Sequence, residues 1–297
     1  MILERMLSVK YVLNKVKCDI VQVLVIAAVV NLVTIEFESF LPEMPITIPT
    51  FLGTAISVLL SFKMNQSYDR WWEARKVWGA IVNDSRSLVL QMQSLLGSTH
   101  SESIKRIAYR QIAWCYSLGQ SLRGLDALDG INNLLSQQDY NYISTHTNKP
   151  LALQQLNSQE IRQHKESGTL DSIGLMQLND TCVRMVDAMG RAERINNTIF
   201  PSTYRRFLHF IIYLFIITLS IALKDIHRLF IIALLIVIAV AFFLIEKSAL
   251  HLQDPFSNRP SDVPVTSIAR TIDINIRQLL GEQDVPKPIE PQRFYIM

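Results

Sequence analysis

Four stretches of the chain, residues 20–35, 44–62, 207–223 and 229–245, carry no formal charge and consist mainly of apolar side chains. Each is 16 to 19 residues long. As helices they would extend roughly 24 to 28 Å, against about 30 Å of bilayer hydrocarbon. Buried helices of a large soluble core are the alternative. The last stretch is apolar on every face, and four such segments in one chain favour membrane spans.

Between the two pairs of spans, residues 63–206 read as soluble helices. Thr99 and Glu102 have the spacing of a capping box, ahead of Ile104, Ala108, Ile112, Cys115, Leu118 and Leu122 at helical intervals. A second stripe, Leu175, Leu178, Cys182, Met185 and Met189, alternates three and four residues apart, and Gln177, Asp180, Arg184, Asp187 and Arg191 mark its polar side. Both stripes predict packing faces. Residues 126–150, with Gly130 and several Asn and Ser, read as an irregular excursion. Residues 265–280 predict one further helix, and 281–297, with Pro286, Pro288 and Pro291, an extended tail.

The chain has 297 residues, 49% apolar, with only 10 glycines, so the fold class is all-α. Its 29 basic and 26 acidic residues leave too small an excess for a nucleic-acid footprint. The placement of charge tells more. Arg5, Lys10, Lys15 and Lys17 precede the first span, Glu36, Glu38 and Glu43 follow it, and Lys63, Arg70, Arg75 and Lys76 follow the second. The positive-inside tendency then puts both termini in the cytoplasm and makes the first segment a retained anchor rather than a cleaved signal. Arg205 and Arg206 enter the third span from the same side, and the short link 224–228 returns the fourth antiparallel. Lys224 and Arg228 in that link are a mild exception. The expected division is 1–62 for an N-terminal helix and spans one and two, 63–206 for a cytosolic helical region, 207–245 for spans three and four, and 246–297 for a cytosolic segment and tail.

Little in the sequence points to catalysis. Cys18, Cys115 and Cys182 lie far apart in no metal or disulfide spacing and read as small core residues. The six histidines never pair at ligand spacing, and there is no phosphate-binding glycine loop and no nucleophile elbow. Asp254 and Asp262 in QDPFSNRPSD are the best cation candidates, although Arg259 lies between them and such turns are common. No cofactor is expected, and no metal.

The second apolar segment runs on into polar sequence as far as Lys76 with no Gly or Pro after Gly53, which predicts one long helix leaving the membrane unbroken. On it Thr50, Thr54, Ser57 and Ser61 form a narrow hydroxyl stripe. Such a stripe can face water in a pore or let neighbouring helices approach closely. Trp71 and Trp72 have the character of interfacial anchors. Spacing alone leaves unexplained the run Tyr68, Asp69, Arg70, Trp71, Trp72, Glu73, Ala74, Arg75.

That run carries a resemblance. The stretch PTFLGTAISVLLSFKMNQSYDRWWEARKVWG resembles the pore helix of the bestrophin family, especially its bacterial and plant branch, and EKSALHLQDPFSNRPSDVP resembles the segment after that family's last span. Order, spans and both motifs agree from about residue 20 to residue 280. The resemblance implies a homopentamer around a central pore, embedded in lipid of the inner or plasma membrane and passing monovalent ions. By position, the neck would be lined by Thr54, Val58 and Phe62, which share one helical face. Ser57 and Ser61 would turn to the next subunit, and Ile173 would form a constriction at the cytosolic exit. Tyr68, Asp69, Arg70, Trp71, Glu73 and Arg75 are the family motif at the membrane interface.

Two departures modify the expectation. Thr54 puts a small hydroxyl where the family usually has a bulky apolar group, so the barrier to water would rest on Val58 and Phe62. Ser257, Asn258, Arg259, Pro260 and Ser261 stand where the animal branch holds calcium with acidic residues, so no calcium activation is expected. Chloride is favoured by fold analogy, with a cation-selective (sodium) channel of the same fold as the alternative. A membrane-anchored scaffold or sensor is the rival from another class, and an enzyme ranks third.

Overall fold

A computed structural model describes the chain except for residues 2–8, 37–42, 199–200, 225, 292–293 and 297. Arg5, Glu38 and parts of the first connector and the tail therefore lie outside the described residues. The elements are nine α-helices among the described residues: α1 (Val9–Glu36), α2 (Thr47–Leu96), α3 (Ser101–Leu122), α4 (Gln137–Ser144), α5 (Lys149–Glu166), α6 (Ser172–Asn197), α7 (Ser202–Ala222), α8 (Arg228–Gln253) and α9 (Val265–Leu279). α1, α2, α7 and α8 are long and apolar enough to cross a membrane, and each contains one of the four apolar stretches or nearly all of it. α2 is continuous over 50 residues, and it carries on past Gly79 without a break.

The chain divides into two compact units. The apolar unit comprises Glu4–Arg70 and Ile199–Gln253. Within it α1 packs closely on α7 and α8, and α7 on α8. Its core is built from stripes at helical spacing: Val16, Val23 and Ala27 from α1, Leu208, Ile212, Phe215 and Leu219 from α7, and Ile231, Leu235, Ala239 and Phe243 from α8. α2 joins through Ile56 and Leu60, and through Gly53, where an added Cβ would lie 3.2 Å from the Phe215 ring. The outward faces stay apolar: Leu32, Phe210, Leu229 and Val237 are each more than 60% exposed. Such a surface is stable against hydrocarbon and not against water.

The second unit comprises Met1–Leu3, Trp71–Thr198 and Asp254–Met297. Its core holds Trp78 and Trp114, both fully buried, among α2, α3, α5, α6 and α9. Every member of the stripe from Ile104 to Leu122 is buried, as are Leu178, Cys182, Met185 and Met189, with Leu175 packed at the edge. The last predicted helix is found as α9, ending one residue early.

Three local expectations are corrected. α3 starts at Ser101 after a 3₁₀ turn, and Thr99 bonds the His100 ring (3.0 Å) instead of capping the helix. Residues 126–150 are not irregular throughout: Ser136 caps α4 by accepting from the Asp139 amide, and Asn148 caps α5 by accepting from the Leu151 amide with Pro150 in its first turn. Those Asn and Ser residues are start signals, not loop filler. Cys18 is exposed on α1, whereas Cys115 and Cys182 are buried.

Candidate functional site

α2 presents two different faces within the apolar unit. Ile56, Leu60, Lys63 and Ser67, at alternating steps of four, three and four, are buried against its partners. Thr54, Val58 and Phe62 lie on another face and stay uncovered, Val58 being 49% and Phe62 62% exposed. A helix whose inward stripe is satisfied and which still shows Val and Phe at i, i+4 has a second surface to account for.

The hydroxyl stripe is also exposed, but the donors of Thr50, Thr54 and Ser57 are occupied. Thr50 donates to the Ile46 carbonyl (2.8 Å), Thr54 to that of Thr50 (2.9 Å) and Ser57 to that of Gly53 (2.8 Å). These bonds satisfy polar groups inside the helix and allow hydroxyls to sit at membrane depth.

The end of the apolar unit nearest the polar sequence carries ionisable side chains on four helices. Lys63 of α2 donates to Glu246 Oε1 of α8 at 2.7 Å, and the two side chains are 1% and 0% exposed. His209 Nε2 of α7 lies 3.5 Å from the other oxygen of Glu246. Lys247 of α8 pairs with Asp19 of α1 and also donates to the Lys15 carbonyl at 2.8 Å. Sequence reading misses this layer. Lys63 and Glu246 are 183 positions apart, and each reads as a flank of its apolar stretch.

In the second unit the two quoted motifs meet. The Trp71 indole N–H donates to the Ser261 carbonyl (3.1 Å), so half-buried Trp71 is held by protein rather than serving only as an interfacial anchor. Trp72 stacks beside it, with ring centroids 6.4 Å apart. Tyr68 and Asp69 are exposed, and Glu73 pairs with Lys76 at 2.6 Å. Asp262 is buried and accepts the Arg259 amide (2.9 Å); burial raises its carboxyl to about 6 against the pull of that amide and of the Arg259 and Arg123 charges. Asp254 is half-buried. No cluster of three or more His, Cys, Asp or Glu able to hold a metal occurs among the described residues.

Ile173 stands in the first turn of α6 and is 62% exposed. Asp171 caps this helix by accepting the Gly174 amide (2.7 Å), and Gly174 is needed because a Cβ there would meet Leu170 at 2.8 Å and Asp171 at 2.9 Å. Thr54, Val58 and Phe62 are thus gathered on one face, while Ile173 is presented separately in the second unit.

Four long apolar helices with lipid-compatible outer faces, joined to a second helical unit, define an integral membrane protein of the multi-span helical class. A family model described as bacterial/fungal bestrophin protein matches residues 5–278. The voltage-dependent anion channel-forming protein YneE of Escherichia coli K12 is 30% identical over 249 residues, 83% of this chain and 80% of that protein. Its counterpart in Ralstonia nicotianae is 28% identical over 234 residues, 78% and 76% of the two chains. A bacterial bestrophin homologue from Klebsiella pneumoniae, solved by crystallography, shares the fold with a TM-score of 0.84 at 25% identity, over 90% of this chain and 100% of that one. The chain belongs to the bacterial and fungal bestrophin family, and so to a family of ion channels rather than enzymes.

Proposed function

We propose that this chain assembles as a homopentamer around a central pore and passes small monovalent ions, chloride being favoured. The observation that carries the reading is the uncovered face of Thr54, Val58 and Phe62 on a helix already satisfied elsewhere. Symmetric copies of α2 would turn this face to a shared axis and form an apolar neck in which Val58 and Phe62 resist wetting. Ile173 would form the second constriction, at the cytosolic exit. Ser57 and Ser61 would contact the neighbouring subunit.

The charge pattern supports a cytoplasmic position for both termini, with residues 63–206 and 246–297 in the cytosol of a cell bounded by this inner or plasma membrane. Relatives named as anion channel-forming proteins support an anion preference. A sodium-selective channel of the same fold is the second reading, because none of Thr54, Val58, Phe62 and Ile173 carries a charge.

Three measurements test this. The size of the detergent-purified protein should be that of five chains; a monomer or dimer overturns the pore. Phe62→Ala should raise single-channel current in planar bilayers, and unchanged current in both Phe62→Ala and Ile173→Ala would show the lining to be misassigned. Bi-ionic reversal potentials under sodium chloride gradients decide between anion and cation.

A further inference from the structure

Lys63 and Glu246 occupy positions where the helical pattern calls for apolar residues. On α2 the buried stripe reads Ile56, Leu60, Lys63, Ser67, and on α8 it reads Leu235, Ala239, Phe243, Glu246. Full burial of two charges is costly and is tolerated here because they meet at 2.7 Å. Relative to an apolar pair, such a bridge adds little net stability. What it adds is a unique alignment, since two charges in an apolar interior have few arrangements in which both are satisfied.

That alignment matters most for α2. α1, α7 and α8 pack closely on one another, and α2 joins them through Ile56 and Leu60 and through Gly53 beside the Phe215 ring. Ile, Leu, Ala and Phe facing one another discriminate weakly between registers one turn apart, about 5.4 Å. Few polar contacts break this degeneracy. Among the described residues these include the Tyr204 hydroxyl donating to the Leu59 carbonyl (2.8 Å) and Lys63 with Glu246. Glu246 is in turn placed by its neighbours: His209 of α7 faces its second oxygen, and Lys247 is tied to Asp19 and to the Lys15 carbonyl of α1.

Lys63 directly follows Phe62. Neighbouring residues on a helix differ by about 100° and 1.5 Å, so fixing Lys63 fixes both the height and the azimuth of Phe62. We propose that the buried Lys63–Glu246 pair is the positioning device of the neck: it locks α2 in register against α8 and thereby sets where the Phe62 ring stands and how wide the conducting path is. The pair lies away from the ions and acts through Phe62. The inference rests on the assignment of Phe62 to the pore face.

The test compares four proteins, full chains purified in detergent and recorded in planar bilayers: wild type, Phe62→Ala, the apolar replacement Lys63→Met with Glu246→Leu, and the swap Lys63→Glu with Glu246→Lys. The apolar replacement is chosen because a well-packed apolar pair is compatible with folding. Wild type should show one current level; the apolar replacement should elute at the wild-type size, yet either spread over several levels or shift at least twofold. The swap should restore one level near that of wild type. Wild-type current in the apolar replacement, alongside altered current in Phe62→Ala, would sink the proposal and leave the neck assignment standing. Unchanged current in Phe62→Ala would remove Phe62 from the current-limiting part of the pore, and the proposal with it. An apolar replacement that fails to assemble would assign the pair to holding the protein together, and a swap that does not restore the level would show that charge pairing is not what positions the ring.

Discussion

The Arg110 guanidinium of α3 meets the Glu160 carboxylate of α5 at 2.5 Å, both side chains being about nine-tenths buried. The same guanidinium holds both oxygens of Asp139 on α4, at 2.8 and 3.0 Å. One cation therefore joins three helices, and removing it leaves two buried carboxylates short of a partner. Arg110→Met should destabilise the second unit by about 3–5 kcal/mol, the range for breaking a buried pair from one side. Thermal unfolding of detergent-purified protein, followed by Trp78 and Trp114 fluorescence, reads the effect. An unchanged midpoint would mean that Arg106, which also reaches Glu160 at 2.7 Å, suffices alone.

Asp262 makes stability depend on pH in the less common direction for a carboxylate. Burial raises its folded value to about 6, above the ordinary 3.8. The folded state therefore holds the proton more tightly than the unfolded chain does. Its contribution to stability is fully present below pH 3.8 and is lost as pH rises through about 6. Asp262→Asn, which keeps an oxygen for the Arg259 amide, should flatten the stability curve between pH 4 and pH 7 relative to wild type. Superimposable slopes in the two proteins would refute this.

The seat of Ile173 depends on the cap of α6. Asp171→Ala removes the acceptor of the Gly174 amide and should cost about 1 kcal/mol of helix stability. Gly174→Ala should have a larger effect, since the new methyl would crowd Leu170 and the Asp171 carboxylate itself. Both should alter single-channel current if Ile173 narrows the exit, and Asp171→Asn, which still caps, should not.

Thr54 offers a test of wetting. Replacing it with Leu gives three bulky apolar residues at steps of four and, in the proposed pore, should lengthen the dry section of the neck. The expected outcome is a severalfold drop in unitary current, with the oligomer size unchanged on gel filtration.

Calcium should leave the current unchanged, because Ser257, Asn258 and Arg259 supply no carboxylate beside Asp262. A calcium-dependent rise abolished by Asp262→Ala would reverse this expectation.

The spans and the main packing stripes were legible because helical period and apolar run length are local properties. Leu178, Cys182, Met185 and Met189 share a face wherever the helix docks, and their burial follows. Local signals also mislead where two readings compete. Thr99 has the right spacing for a cap, yet its hydroxyl is taken by His100, and Asn148, seemingly a loop residue, starts α5. Ion pairs between distant positions were not legible at all. Nothing near Lys63 names Glu246, and nothing near Arg110 names Asp139 or Glu160, since the partner is chosen by tertiary packing. Trp71 is intermediate: its motif was recognisable, whereas its bond to Ser261 requires the fold.

The Thr54 hydroxyl has already committed its hydrogen to the Thr50 carbonyl. What it turns outward is an oxygen lone pair beside a methyl group. A lone pair is an attractive neighbour for a dehydrating cation and an indifferent or repelling one for a halide. In a ring of such residues, any anion preference must therefore be generated elsewhere along the permeation path, and the outer mouth would act as a mild toll on the very ion the channel is expected to carry.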